Sequence, residues 1–145
     1  MDGLKDPFNR GPFVIKDQTM VYFYRSLAKI RNGSDALTVG HMTVFNYGKD
    51  VVGILRFILD GKDAFGNDAE NGAYLILVNR KHADVDFVVD FYNMENCLDE
   101  KQVGLLKDSH FSRGICLLTG KTVAIKNGLA EVSIFKNSGM AFRLT

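Results

Sequence analysis

The stretch that decides the fold is residues 114–145, GICLLTGKTVAIKNGLAEVSIFKNSGMAFRLT. It holds four short runs of apolar and β-branched residues, at 114–118, 121–125, 129–135 and 140–144. The separators are Thr119-Gly120, Asn127-Gly128 and Asn137-Ser138-Gly139. Gly and Asn tolerate positive φ, so each separator reads as a tight turn. Short strands joined by tight turns must run antiparallel, because a parallel return needs a long crossover.

Working back along the chain, the same pattern recurs. Residues 42–47 and 51–59 flank Gly48-Lys49-Asp50, a hairpin signal. Residues 73–79 are nearly all apolar, as expected of a strand buried on both faces. Residues 84–91 alternate, with Val85, Phe87, Val89 and Phe91 on one side and Asp84, Asp86, Val88 and Asp90 on the other. Residues 98–106 fit either a short helix or a loop. The period changes only near the start. Met20, Phe23, Tyr24, Leu27, Ala28 and Ile30 are spaced by threes and fours, which predicts an amphipathic helix over 18–31. Asp17 or Thr19 caps its start, and Asn32-Gly33 is expected to end it in the left-handed conformation. Residues 1–16, with Pro7 and Pro12, read as an extended loop. The expected fold is mainly β: an antiparallel, Greek-key β-sandwich of about eight strands, preceded by one α-helix.

Composition narrows the function. The chain has 145 residues, with 18 Lys and Arg against 17 Asp and Glu. A net charge of +1 argues against nucleic acid or an anionic membrane as partner, since both reward a basic excess. No apolar run approaches the roughly 20 residues needed to span a bilayer. The opening residues contain no apolar signal segment, so the expected location is the cytoplasm, with Cys97 and Cys116 as reduced thiols. A disulfide between them stays open as an alternative.

The local motifs give no chemistry. Gly120-Lys121-Thr122 resembles the end of a phosphate loop, but Ile115 stands where the first glycine is needed and no helix follows. Residues 60–72, DGKDAFGNDAENG, are rich in oxygen, yet Lys62 occupies a ligand position of a calcium loop. Asp84, Asp86 and Asp90 could share a cation or a proton, but such a row is also the wet face of a half-buried sheet. His41, His82 and His110 stand at no spacing that matches a known catalytic or metal motif. No catalytic residue, metal ligand or cofactor is expected.

The order of segments carries more information. Asp6-Pro7-Phe8-Asn9-Arg10 resembles the DP-x-NR segment of the alpha-amylase superfamily, glycoside hydrolase family 13, with neopullulanase, cyclomaltodextrinase and maltogenic amylase as the nearest flavour. The helix from Phe23 to Arg31, followed by Ala36-Leu37, is similar to the family's last barrel helix and its exit. Val52-Gly53-Ile54-Leu55-Arg56-Phe57, Tyr74 to Arg80, Leu117 to Lys121 and Gly139 to Leu144 resemble successive strands of its C-terminal domain. The resemblance implies that residues 1–35 are the end of a catalytic barrel and residues 36–145 a C-terminal β-sandwich. It implies that the catalytic carboxylates lie elsewhere, since a barrel takes about 250 residues. It also implies that Asp6 and Arg10 contact sugar, and only with the barrel present. The partners implied are the catalytic barrel of the same enzyme and, through the full-length enzyme, an α-glucan. The helix is the expected contact element, and without a barrel its apolar stripe would fold back or self-associate. Two rival readings remain. One is a carbohydrate-binding module that stacks Tyr47 or Tyr92 on sugar. The other is an independent small hydrolase built on the Asp84, Asp86, Asp90 row or the Asp60 to Glu70 loop.

Overall fold

A computed structural model describes residues 17–93 and 98–145. The chain divides into two compact units, Met1–Ile30 and Arg31–Thr145. Asp6, Arg10 and Cys97, with the 1–16 loop, lie outside the described residues.

Helix α1 (Gln18–Asn32) forms where the period of three and four predicts it. Asp17 caps it: its Oδ1 accepts from the Met20 N–H at 3.1 Å. None of its residues is buried. Its end departs from expectation, since neither Asn32 nor Gly33 has positive φ. The helical hydrogen bonding runs through Asn32, and a short helix α2 (Asp35–Thr38) follows at once. Four residues are too few to carry a periodic signal.

Among its described residues, the second unit contains α2, eight antiparallel strands and a third helix. The strands are β1 (His41–Tyr47), β2 (Val51–Ile58), β3 (Gly72–Asn79), β4 (Val85–Asp90), β5 (Arg113–Cys116), β6 (Thr122–Lys126), β7 (Leu129–Ile134) and β8 (Ser138–Leu144). They form one sheet in the order β1-β2-β3-β8-β5-β6-β7-β4. In β4-β7-β6-β5 the meander of three strands is flanked by the strand that precedes it, a Greek key. The sheet folds over itself so that β1-β2-β3-β8 faces β5-β6-β7-β4. Its two edges, β1 and β4, come together where the Tyr47 and Phe87 rings stack at 4.5 Å. The expected mainly β sandwich of eight strands is the observed fold.

Period-two alternation puts Leu55, Phe57, Leu75, Leu77, Phe87, Val89, Val132, Ile134 and Phe142 in one core. Burying each such side chain contributes about 1.5–3 kcal/mol. The turns use the residues the sequence supplies. Asn127 and Gly128 both take positive φ, 51° and 77°, as a two-residue hairpin turn requires. Tyr92 then covers that turn: a Cβ on Gly128 would meet its ring at 2.5 Å. Helix α3 (Glu100–Asp108) resolves the ambiguity at 98–106. Its capping box pairs the Asp99 side chain with the Gln102 N–H at 2.7 Å, and the Gln102 side chain with the Asp99 N–H at 3.2 Å. Leu106 carries the helix into the core.

Asn79 joins the two layers. It is 1% exposed at the end of β3. Its Nδ2 donates to the Phe135 and Ala83 carbonyls, both at 3.0 Å, and lies 3.4 Å from the Ile134 carbonyl. Its Oδ1 accepts from the Lys81 N–H at 2.8 Å. One buried amide thus fixes the 80–84 turn and ties β3 to the end of β7.

Candidate docking face and edge groove

Register fixes which side chains share the outer face of the first layer. One row runs Val44, Ile54, Ile76, Ala141 across β1, β2, β3 and β8. The next runs Asn46, Val52, Val78, Gly139, and the third Met42, Arg56, Tyr74, Arg143. Two of the three rows are therefore almost wholly apolar. Met42 is 51% exposed, Val44 42% and Val78 40%, while Val52, Ile54 and Ile76 are half-buried. This corrects the expectation that residues 73–79 are buried on both faces: only the inward set Ala73, Leu75, Leu77 and Asn79 is buried. The outer face of the second layer is mixed, with exposed Val88 and Leu129 among Asp86, Glu131, Ser133, Thr122 and Lys126. An antiparallel sheet that meets water is normally polar on that side. A contiguous apolar patch of this kind marks a contact surface.

Arg56 sits at the margin of the apolar face. Its Nε donates to the Ala36 carbonyl at 3.1 Å and its Nη2 to the Gly40 carbonyl at 3.0 Å. Burial, then the charge of Arg31, pushes its pKa down. Gly40 is needed for this close approach, because a Cβ there would lie 2.5 Å from the Ala36 carbonyl oxygen. The guanidinium therefore pins α2 to the sheet.

Most of the residues weighed for chemistry are engaged structurally. In the 60–72 loop, the Asp63 carboxylate accepts from the Phe65 N–H at 2.8 Å, the Asn67 N–H at 2.8 Å and the Asn67 side chain at 3.2 Å. Desolvation raises its pKa, but these hydrogen bonds outweigh it and hold the carboxyl below its ordinary value. The Lys101 ammonium bonds Asp60 at 2.7 Å, lowering the pKa of Asp60 and raising that of Lys101. In the aspartate row, Asp84 accepts from the Lys136 N–H at 2.8 Å. Asp90 accepts from the Tyr92 and Asn93 N–H groups and from the Asn93 side chain. Asp86 alone remains unbonded among the described residues. Two of the histidines have separate partners: His41 Nδ1 meets Gln102 at 2.8 Å, and His82 Nδ1 meets Asn137 at 3.0 Å, while His110 takes a positive φ of 46°. Gly120 takes φ 72° in the β5-β6 turn, and Lys121 extends over Phe135 at 5.4 Å. Cys116 is buried; desolvation raises its pKa, and hydrogen bonding led by Thr119 lowers it overall. Among the described residues, no three or more His, Cys, Asp or Glu side chains are grouped to hold a metal ion. No helix there is long and apolar enough to cross a membrane.

Of the two aromatics weighed for sugar stacking, Tyr92 is spent on covering Gly128. Tyr47 is 45% exposed at the seam between the sheet edges. Below it opens a groove of about 640 Å³, lined by Asp86, Phe87, Val88, Glu131 and Ser133. Sequence reasoning singled out Tyr47 and Asp86 separately but not their proximity, because β4 and β7 reach Tyr47 only through the closure of the sandwich.

The fold and the apolar outer face of its first layer define a class: a β-sandwich domain with a face suited to contact. The comparisons place that class. No family model matches the chain. Over 92 residues, 62% of the chain, it is 33% identical to the amylopullulanase of Thermoanaerobacterium saccharolyticum, of which it spans 7%. Over 142 residues, 94% of the chain, it is 25% identical to the amylopullulanase of Thermoanaerobacter thermohydrosulfuricus, of which it spans 8%. The chain thus spans under a tenth of these curated relatives. The solved Anoxybacillus alpha-amylase matches its whole length with TM-score 0.67 and 16% identity, over 26% of that enzyme. The Geobacillus thermoleovorans alpha-amylase, solved with acarbose, does so with TM-score 0.67 and 14% identity, over 27%. The chain is similar to the C-terminal portion of an alpha-amylase family enzyme.

Proposed function

We propose that the chain is a non-catalytic C-terminal β-sandwich domain of an alpha-amylase-type glycosidase acting on α-glucans, and that it packs on the catalytic barrel and stabilises it. The observation that carries this reading is the apolar outer face of β1-β2-β3-β8, with Val44, Ile54, Ile76 and Val78 in register. A face of that composition is unfavourable in water, and covering it lowers the free energy by about 25 cal/mol per Å². The matching alpha-amylases have nearly three quarters of their chains outside the segment they share with this one, which supplies a covering body. On the same reading, residues 1–35 are the end of the barrel, Asp6 and Arg10 meet substrate only within it, and the enzyme works in the cytoplasm.

The test is a chimera. This chain replaces the matching segment of the Thermoanaerobacterium saccharolyticum amylopullulanase, and the half-life of α-glucan hydrolysis is followed at raised temperature. The expected result is a half-life restored relative to the enzyme lacking the segment. A half-life no longer than that of the truncated enzyme counts against the proposal. Activity of the isolated chain on pullulan or starch would favour the independent hydrolase instead.

A further inference from the structure

Phe65 is 78% exposed, more than any other large apolar side chain among the described residues. It lies in the 60–72 loop, outside the apolar rows of the sheet, and the backbone beneath it is fixed. The Gly66 N–H donates to the Asp63 carbonyl at 3.1 Å, closing a tight turn around Ala64 and Phe65. The Asp63 N–H donates to the Asn67 carbonyl at 2.9 Å, and the Ala69 N–H to the Gly61 carbonyl at 3.0 Å. Gly61 and Gly66 take φ of 74° and 87°, a conformation that suits glycine. The buried Asp63 carboxylate holds the Phe65 and Asn67 N–H groups from below. A loop that commits this many bonds to presenting one bare ring is preorganised, which cuts the ordering cost of a contact.

The loop is tied to one end of the unit. The Ala64 N–H donates to the Val39 carbonyl at 3.0 Å, and the Glu70 N–H to the Asp35 carboxylate at 2.9 Å. Asp35 opens α2 and Val39 follows it. On the barrel-packing reading the barrel ends at residue 35, so α2 is the junction and Phe65 is fixed to it. The side chains flanking Phe65 are already paired: Asp63 with the Asn67 amide at 3.2 Å, and Lys62 with Asp68. A hydrogen-bonding ligand finds little there, whereas a ring with no polar atom suits a dry apolar pocket on a protein. We infer that Phe65 is an anchor that inserts into an apolar pocket of the barrel of the same enzyme, beside the point where the chain passes from barrel to sandwich. This inference rests on the barrel-packing reading and names a contact separate from the apolar outer face.

A photo-reactive benzoylphenylalanine in place of Phe65 in the chimera reads the contact directly. Irradiation is expected to join this position to the barrel, seen as a cross-linked peptide by mass spectrometry; no cross-link to the barrel overturns the anchor. Phe65→Ser is expected to shorten the thermal half-life of the chimera by roughly tenfold, the effect of losing one aromatic anchor. The isolated variant should keep the wild-type melting temperature, because the ring is exposed there. A Phe65→Ser chimera as durable as the wild-type chimera overturns the anchor as well. If the wild-type chimera does not outlast the truncated enzyme but the cross-link forms, stabilisation fails and the anchor stands; a restored half-life without the cross-link does the reverse. A dimer of the isolated chain that Phe65→Ser dissociates would assign the ring to a second copy and overturn the proposal.

Discussion

Replacing Asn79 with Ala removes the one buried amide that spans the two layers. Three hydrogen bonds of good length go with it: to the Phe135 carbonyl at 3.0 Å, to the Ala83 carbonyl at 3.0 Å and from the Lys81 N–H at 2.8 Å. Each net bond contributes about 1 kcal/mol, so the direct loss is about 3 kcal/mol. The longer 3.4 Å approach to the Ile134 carbonyl adds little. For a domain of this size each kcal/mol moves the midpoint by about 3–5 °C, giving a fall of roughly 10–15 °C. Thermal and urea unfolding followed by far-ultraviolet circular dichroism measures both quantities, with an unchanged urea slope as the check that only stability has moved. A second variant isolates the donor. Asn79→Asp places a carboxylate against carbonyl oxygens, which raises its folded pKa above the unfolded value near 3.9. Its stability is then greatest below the unfolded pKa and is lost as pH rises through the raised folded value. The gap to wild type is expected to narrow on acidification. A midpoint within about 3 °C of wild type for Asn79→Ala would refute the clamp, since that corresponds to under about 1 kcal/mol.

Other perturbations separate the core, the turns and the loop. Leu75→Ala empties a fully buried site between the layers and is expected to cost about 2–5 kcal/mol in urea unfolding; under 1 kcal/mol would place Leu75 outside the core. Thr43 Oγ1 is buried with no hydrogen-bond partner among the described residues, so isosteric Thr43→Val should raise the melting temperature, and a lower one would mean the hydroxyl is satisfied. Gly128→Ala drives a methyl into the Tyr92 ring at φ 77° and is expected to cost at least about 1 kcal/mol; a neutral result would contradict the I′-type turn. The depressed pKa of Asp63 means its contribution is complete above the ordinary carboxyl range and lost as pH falls through the folded value. Asp63→Asn should therefore flatten the acid limb of the stability curve, and an unchanged limb would assign it to other carboxylates.

Strand positions were legible because period-two alternation and the Asn-Gly and Thr-Gly turns act over a few residues. The same is true of α1, whose stripe needs only its own sequence. Helix α3 was ambiguous because Gly104 and its polar residues weaken the pattern, although Asp99 and Gln102 already carried a capping-box signal. What distance in sequence hides is tertiary. Asn79 looks like a polar strand end until Phe135 is brought to it. Tyr47 and Phe87 are forty residues apart and meet only through sheet closure. The run at 73–79 is apolar in both phases, so its sequence cannot distinguish a strand buried twice from one with an open face. That difference sets the inner core apart from the outer surface read here as the docking site.

The sharpest test of docking uses Ile54→Lys with Ile76→Lys, two neighbouring side chains on the apolar outer face. In the isolated chain both ammonium groups reach water, so its melting temperature should stay within a few degrees of wild type. In the chimera, the same lysines would be buried against the barrel, and the thermal half-life of α-glucan hydrolysis should fall to that of the enzyme lacking the segment. A double variant that protects the barrel as well as the wild-type chain does would contradict docking through this face.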